Sequence, residues 1–376
     1  MKISFVIDIR HFSIGNIGGT DSYMRRLISV LRKNNHLVQL IFFNKEKKTK
    51  IKIKDKSHIE FNKFNDLYNY LEKIDSYVFI CYLSPIDRLK FIFRRIFQNK
   101  KNQNINLILF FYPNSFIKKL YRAFEIILSD YANIFCVSKR ILKYSLLFQK
   151  KSFFLPPIVP DNFTEIGLKK IKLLMENKIN IKNNALYLGR LDPRKGINEV
   201  IELAKYSDSF VWTVSGVFFD KKYKSKFKGI NDNSKKLISQ LRNLKKIKFE
   251  IQNINSYNPE IESKVASKMS KCLFFLQPYN DLRSTVDLPL LILEAQACGC
   301  IVLTTLPKEL DSYITYPSLS FMKFNVRKFH EYMLKNKSID KNNNNMQKMV
   351  NKVKQNYSEL VILKKFISIL QEDNYI

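Results

Sequence analysis

Ala185-Leu-Tyr-Leu-Gly-Arg-Leu-Asp-Pro-Arg-Lys-Gly196 is a short apolar run that breaks into a turn, and the residues behind it have helical spacing. Ile197, Val200, Ile201 and Ala204 form one stripe of that helix. The turn itself holds Gly189, Arg190, Asp192, Pro193, Lys195 and Gly196. Cations at a helix N-terminus oppose the helix dipole unless an anion answers them. A phosphate or diphosphate is the anion that suits such a strand-to-helix turn. An ordinary basic turn is the competing reading.

The same alternation extends outward in both directions. Candidate strands in the first half are Ile3–Asp8, Leu37–Phe43, Tyr77–Tyr82, Asn106–Phe111 and Asn133–Val137. In the second half they are Ala185–Leu188, Phe210–Ser215, Ile247–Gln252, Cys272–Leu276 and Ile301–Thr305. Several are continuous apolar runs, as parallel strands covered on both faces require. Amphipathic segments such as Asp21–Lys33 lie between them. The expected class is α/β, with two doubly wound, Rossmann-like parallel sheets. Pro156, Pro157 and Pro160 disfavour helix and mark the seam. The expected division is 1–158, 159–350 and a terminal helix in 351–376, with that helix running over roughly Met346–Gln371 and packing back on the first domain.

A second cluster runs from Val286 to Thr305. Pro289 fits a first helical turn, and Gly299 fits the residue just past a helix end. Glu294 is a lone acid among Leu290, Leu291, Ile292, Leu293 and Ala295. A carboxylate in such surroundings needs a partner. The two hydroxyls of a ribose supply one, and so does a structural Arg or Lys.

Length and charge bound the rest. The chain has 376 residues and a formal net charge of +32, well beyond what solubility needs. Anionic partners follow: nucleic acid, a membrane surface or phosphorylated ligands. A nucleic-acid binder should interleave basic side chains with exposed aromatics, whereas these aromatics fall mostly in strand-like runs. The five cysteines show no C-x-x-C pair and no zinc spacing, so reduced buried thiols are expected. MKISFVIDIR is too short and too soon charged for a secretory leader. The expected setting is cytoplasmic and peripheral, on the inner face of the membrane. Arg88–Gln98 reads either as an interfacial helix on anionic lipid or as a crossover helix of a doubly wound domain. In it Leu89, Ile92, Phe93, Ile96 and Phe97 share a face, opposite most of Arg88, Lys90, Arg94 and Arg95, with Phe91 stranded on the polar side.

Together, Gly189-Arg190-Leu-Asp-Pro-Arg-Lys195-Gly196 and Pro289-Leu-Leu-Ile-Leu-Glu294-Ala-Gln-Ala-Cys-Gly299 resemble the family 4 retaining glycosyltransferases of the GT-B fold. Gly18-Gly19-Thr-Asp-Ser-Tyr23 looks like that family's N-terminal glycine loop. Asn35-His36-Leu-Val38 and Cys136-Val-Ser138-Lys139 resemble two further steps of its first domain. The resemblance implies two Rossmann-like domains facing across a cleft, with a nucleotide-sugar donor, a UDP- or GDP-sugar, held by the second. It implies that the residues matching Arg190 and Lys195 bind the diphosphate and that Glu294 holds the ribose. Gly18 and Gly19 would close over the phosphates, and Gly189 and Leu290 would line the donor pocket. No cofactor and no obligatory metal are implied.

Two departures stand out. The family's first glutamate corresponds to Val286, and the neighbouring Asp287 is either a substitute acid near the sugar or an acid complementing the following helix. The stretch Leu109–Asn114 also lacks the His common in the family; His11 is a distant alternative. The expected activity is hexosyl transfer with retention to a hydroxyl of a lipid-linked or cell-surface glycan, with nucleic acid excluded as a partner. A non-catalytic nucleotide-sugar-binding relative and, behind it, a basic nucleic-acid-binding protein are the competing readings.

Overall fold

The computed structural model describes residues 1–8, 19–44, 58–98, 105–129, 131–148, 150–217, 237, 239–244, 246–252, 259–282, 286–338 and 342–372. The chain divides into two compact units. One comprises Met1–Ile158, Thr285–Leu288 and Ile362–Ile376, the other Val159–Ser284 and Pro289–Val361.

In the first unit β1 (Lys2–Asp8), β2 (Leu37–Phe43), β3 (His58–Phe61), β4 (Tyr77–Tyr82), β5 (Ile105–Leu109), β6 (Ile134–Cys136) and β7 (Ser152–Phe154) form one sheet. Its order is β3-β2-β1-β4-β5-β6-β7 and every pairing is parallel. Helices α1 (Gly19–Lys33), α2 (Phe64–Leu71), α3 (Pro85–Gln98), α4 (Phe116–Leu128) and α5 (Lys139–Leu146) are the crossovers. Central strands such as β5 are buried at every residue, which is why they read as unbroken apolar runs. α1 supplies Tyr23, Met24, Leu27 and Leu31 to the core. The starts of α4 and α5 are capped by Ser115 and Ser138, whose hydroxyls accept from Lys118 N at 3.3 Å and Ile141 N at 3.1 Å.

The second unit repeats the plan. β8 (Asn184–Arg190), β9 (Val211–Val217), β10 (Ile247–Gln252), β11 (Phe274–Gln277), β12 (Ile301–Thr304) and β13 (Leu319–Ser320) run parallel in the order β10-β9-β8-β11-β12-β13. Its helices are α6 (Asp161–Met175), α7 (Ile197–Tyr206), α8 (Pro259–Ser270), α9 (Leu290–Ala297), α10 (Val326–Asn336) and α11 (Asn343–Tyr357). α9 is buried nearly all round, so it lacks a polar face. It approaches α6 so closely that a Cβ on Gly167 would lie 2.0 Å from the Ala297 carbonyl oxygen.

One expectation is corrected. The terminal helix is not one element: α11 ends at Tyr357, Ser358 leaves helical geometry at ψ 159°, and α12 (Glu359–Glu372) follows. The apolar stripe explains the break. Met346, Val350 and Val353 are buried, but continuing that spacing reaches the exposed Leu360 and Lys364. The stripe restarts at Ile362 and Phe366, and the Phe366 ring packs, tilted, with its centroid 5.1 Å from that of Phe79 in the core of the first unit. α3 buries Phe91 and Ile92 together with Arg88 and Arg95, while Phe93, Ile96 and Phe97 are exposed.

Candidate functional site

The second sheet reverses its order between β8 and β11, with β9 and β10 to one side and β12 and β13 to the other. Loops leaving such a switch point diverge and open a crevice at the carboxyl ends of the strands. Arg190 is the last residue of β8 and Gln277 the last of β11.

The turn after β8 is locked residue by residue. The Asp192 carboxylate accepts from Arg194 N at 3.0 Å and pairs with the Arg194 guanidinium at 2.7 Å. Pro193–Lys195 makes one tight turn, and Gly196, at φ 82°, redirects the chain into α7. Gly196 admits no side chain, because a Cβ there would sit 1.9 Å from the Pro278 carbonyl oxygen. The segment beyond β11 is fastened to this turn. Asn280 N and Asp281 N donate to Arg194 O at 3.1 and 3.3 Å, and Asn280 Nδ2 donates to Pro193 O at 3.0 Å. Tyr279 is thereby pinned beside Lys195, whose Nζ lies 5.2 Å from the ring centroid.

Arg190 and Asp192 act on Lys195 here, and Glu294 acts on the neighbouring Tyr279. Lys195 is 6% exposed. Burial, and the Arg190 guanidinium beside it, bring its ammonium pKa down to about 6, against an opposing pull from Asp192. Burial likewise lowers Arg190 from its ordinary value. Burial pushes the Tyr279 phenol up; Arg190 draws it down and Glu294 raises it further. Tyr279 therefore feels both Arg190 and Glu294 while its ring lies against Lys195. Glu294, on α9, is 4% exposed. Lys195 and Glu294 are therefore dehydrated groups, and an incoming dianion beside Lys195 would let it recover its proton.

The remaining candidates are placed as follows. Gly189, at φ 147°, needs glycine for its backbone angle, since a Cβ would stand at an ordinary 3.7 Å from Leu291 Cδ1. Leu290 is the buried first residue of α9. Gly19 opens α1 in the first unit; Gly18 and His11 lie outside the described residues. Asp287 belongs to the first unit, although the expected division placed all of 159–350 in the second. Its carboxylate takes the Arg140 guanidinium and the Ser138 hydroxyl, its backbone N–H donates to Phe110 O at 3.0 Å, and Arg140 stacks 4.2 Å from the Tyr112 ring. Val286 is buried in the same core. Among the described residues, no group of three or more His, Cys, Asp or Glu side chains sits together as a metal site would require.

Sequence reasoning missed Tyr279 and Asn280. Their signal was available: an aromatic and an amide immediately beyond an apolar strand, at the end where doubly wound sheets bind ligands.

No protein-family model matches the sequence, and no curated protein matches it. Solved structures do. HepE from Anabaena in complex with UDP-glucose superposes with a TM-score of 0.69 at 14% identity, over 99% of this chain and 100% of that one. Sucrose-phosphate synthase from Thermosynechococcus elongatus gives 0.70 at 14% identity over 100% of both chains. A glycosyltransferase from Rickettsia africae gives 0.65 at 16% identity, over 99% of this chain and 98% of that one. The fold is that of the GT-B proteins: two α/β units, each with an all-parallel sheet.

Proposed function

We propose that the protein is a glycosyltransferase that moves a hexosyl group from a UDP- or GDP-sugar to a hydroxyl of a lipid-linked or cell-surface glycan, with retention at the anomeric carbon. What supports this reading is Lys195 Nζ 5.2 Å from the Tyr279 ring, beyond the carboxyl ends of β8 and β11, with the charge of Arg190 acting on both groups and that of Glu294 on Tyr279. The diphosphate lies against Arg190 and Lys195, and Glu294 receives the ribose hydroxyls. The fold shared with HepE, whose structure holds UDP-glucose, makes UDP-glucose the first donor to try.

In the transfer step, the bond between the anomeric carbon and the diphosphate oxygen breaks and its electron pair stays on that oxygen. Arg190, and Lys195 once the bound diphosphate has restored its proton, meet the charge as it forms, a contribution of about 3–4 kcal/mol for each well-placed donor. The acceptor hydroxyl attacks from the same face, and its proton passes to the leaving oxygen, giving retention. Asp287 enters as a positioning residue that fixes Arg140 in the first unit and not as the acid beside the sugar. An anionic membrane surface is the partner in this reading, and nucleic acid is not. Arg190→Ala with Lys195→Ala should abolish donor binding in calorimetry; unchanged binding refutes the site.

The engagement of Asp287 by Arg140 and the burial of Val286 favour a second reading, a nucleotide-sugar-binding relative without turnover. A labelled donor distinguishes the two. Release or transfer of the sugar supports the enzyme, and binding with no turnover under any acceptor supports the relative.

A further inference from the structure

Helices α3 and α4 bury Phe91, Ile92 and Ile126 and carry a second apolar face outward. On α4, Phe116, Ile117, Leu120, Phe124 and Ile127 recur at helical spacing and all face solvent, Phe116 being 80% and Ile117 78% exposed. The opposite side buries charge. Glu125 has no exposure and takes Arg122 Nη1 at 2.6 Å and, from α3, Arg88 Nε at 3.0 Å. α3 repeats the pattern: Ile86, Phe93, Ile96 and Phe97 point outward, Phe97 at 84% exposure, while Arg95 turns inward to within 3.6 Å of Glu72. The helices lie side by side, joined where Tyr121 Oη donates to Pro85 O at 2.8 Å. Their outward faces make one apolar field, larger in character than the scattered exposed apolar side chains of ordinary soluble surfaces.

We propose that this field is an interfacial docking surface for an anionic lipid bilayer. Burying arginines and carboxylates beneath two helices while leaving phenylalanines in water makes physical sense only if something apolar covers the outside. Charge decides what that is. Both acids of the two helices, Asp87 and Glu125, are buried, whereas Lys90, Lys118 and Lys119 stand exposed around the field. A second copy would bring the same lysines against each other across a two-fold contact, on a chain already carrying +32. An acidic headgroup layer instead attracts those lysines, and the phenylalanines and isoleucines enter the acyl boundary beneath it. No helix among the described residues is long and apolar enough to cross a membrane, so the attachment is to one leaflet. The assignment rests on the transfer reading for its purpose, since a lipid-linked acceptor is reached from a bilayer surface. The binding itself needs no donor.

The test is sedimentation of the full chain with vesicles of phosphatidylcholine alone and of phosphatidylcholine mixed with phosphatidylglycerol. The chain should bind the mixed vesicles at least about tenfold more tightly than the neutral ones, and the Phe97→Ser, Phe116→Ser, Ile117→Ser triple variant should lose at least about tenfold. Because all three side chains are exposed, the thermal midpoint and its shift with UDP-glucose should stay unchanged. Lys118→Gln with Lys119→Gln should weaken binding to the mixed vesicles only. Failure of the wild-type chain to sediment overturns the proposal, as does a triple variant that binds like wild type. A wild-type dimer that the triple variant converts to monomer also overturns it, because a second copy then covers the face. Vesicle binding without any nucleotide-sugar shift upholds the surface and overturns the transfer reading alone.

Discussion

Binding of a UDP-sugar should draw a proton from solution, and Lys195 is the group that takes it. With its pKa near 6 in the empty site, about 3% of Lys195 is charged at pH 7.5. A diphosphate beside it restores the charged form, so about one proton is taken up per donor bound at pH 7.5 and about 0.1 at pH 5. The donor's two phosphates are both esterified and do not titrate in this range, so the proton belongs to the protein. Affinity then falls about tenfold per pH unit above 6, or about 80-fold between pH 6.5 and 8.5. Calorimetry in buffers of different ionisation enthalpy measures the uptake directly as the slope of the observed heat. Tight binding at pH 7.5 with a slope near zero refutes the placement of the diphosphate against Lys195. The same depressed pKa has a sign for stability. Between pH 6 and the ordinary lysine value the unfolded chain binds the extra proton, so Lys195 makes the ligand-free protein less stable as pH falls through that window, by about 1.4 kcal/mol per unit. Lys195→Met should therefore raise the ligand-free melting temperature at neutral pH while eliminating both donor binding and proton uptake.

Glu294→Gln should weaken UDP-sugar binding about tenfold while leaving inorganic diphosphate unaffected, because it removes a charged acceptor for hydroxyls and touches no phosphate; competition calorimetry reads both. Gly196→Ala should cost roughly 3 kcal/mol or more, since the new Cβ meets the Pro278 carbonyl oxygen and φ is 82°; urea unfolding measures it. Asp287→Asn breaks a buried pair with Arg140 and should destabilise the first unit by about 3 kcal/mol, with the calorimetric affinity for UDP-glucose retained.

The alternation of apolar runs and helical stripes made both sheets legible, because strands covered on two faces leave a signal in every residue. The turn from Arg190 to Gly196 was legible for a related reason: its glycines and charges have few other uses. Tyr279 was not, since its place beside Lys195 depends on Asn280 fastening a distant segment to that turn, a contact without local periodicity. Asp287 was ambiguous for the same cause. Its sequence neighbours lie in α9 of the second unit, but its partners, Ser138 and Arg140, are far away in the chain. In α3 the sequence left both readings open, because a wheel shows which residues share a face and not which face meets the sheet; Ile92 is buried, whereas Phe93, Ile96 and Phe97 are exposed.

The first unit is discontinuous in the chain, and this bears on any attempt to dissect the protein. Fragments cut at the proline seam would not be independent halves. A fragment ending at residue 158 would leave Phe79 and Phe135 without Phe366, their neighbour from α12, and Arg140 without its carboxylate. Soluble expression of that half would call for grafting α12 back through a linker or for circular permutation.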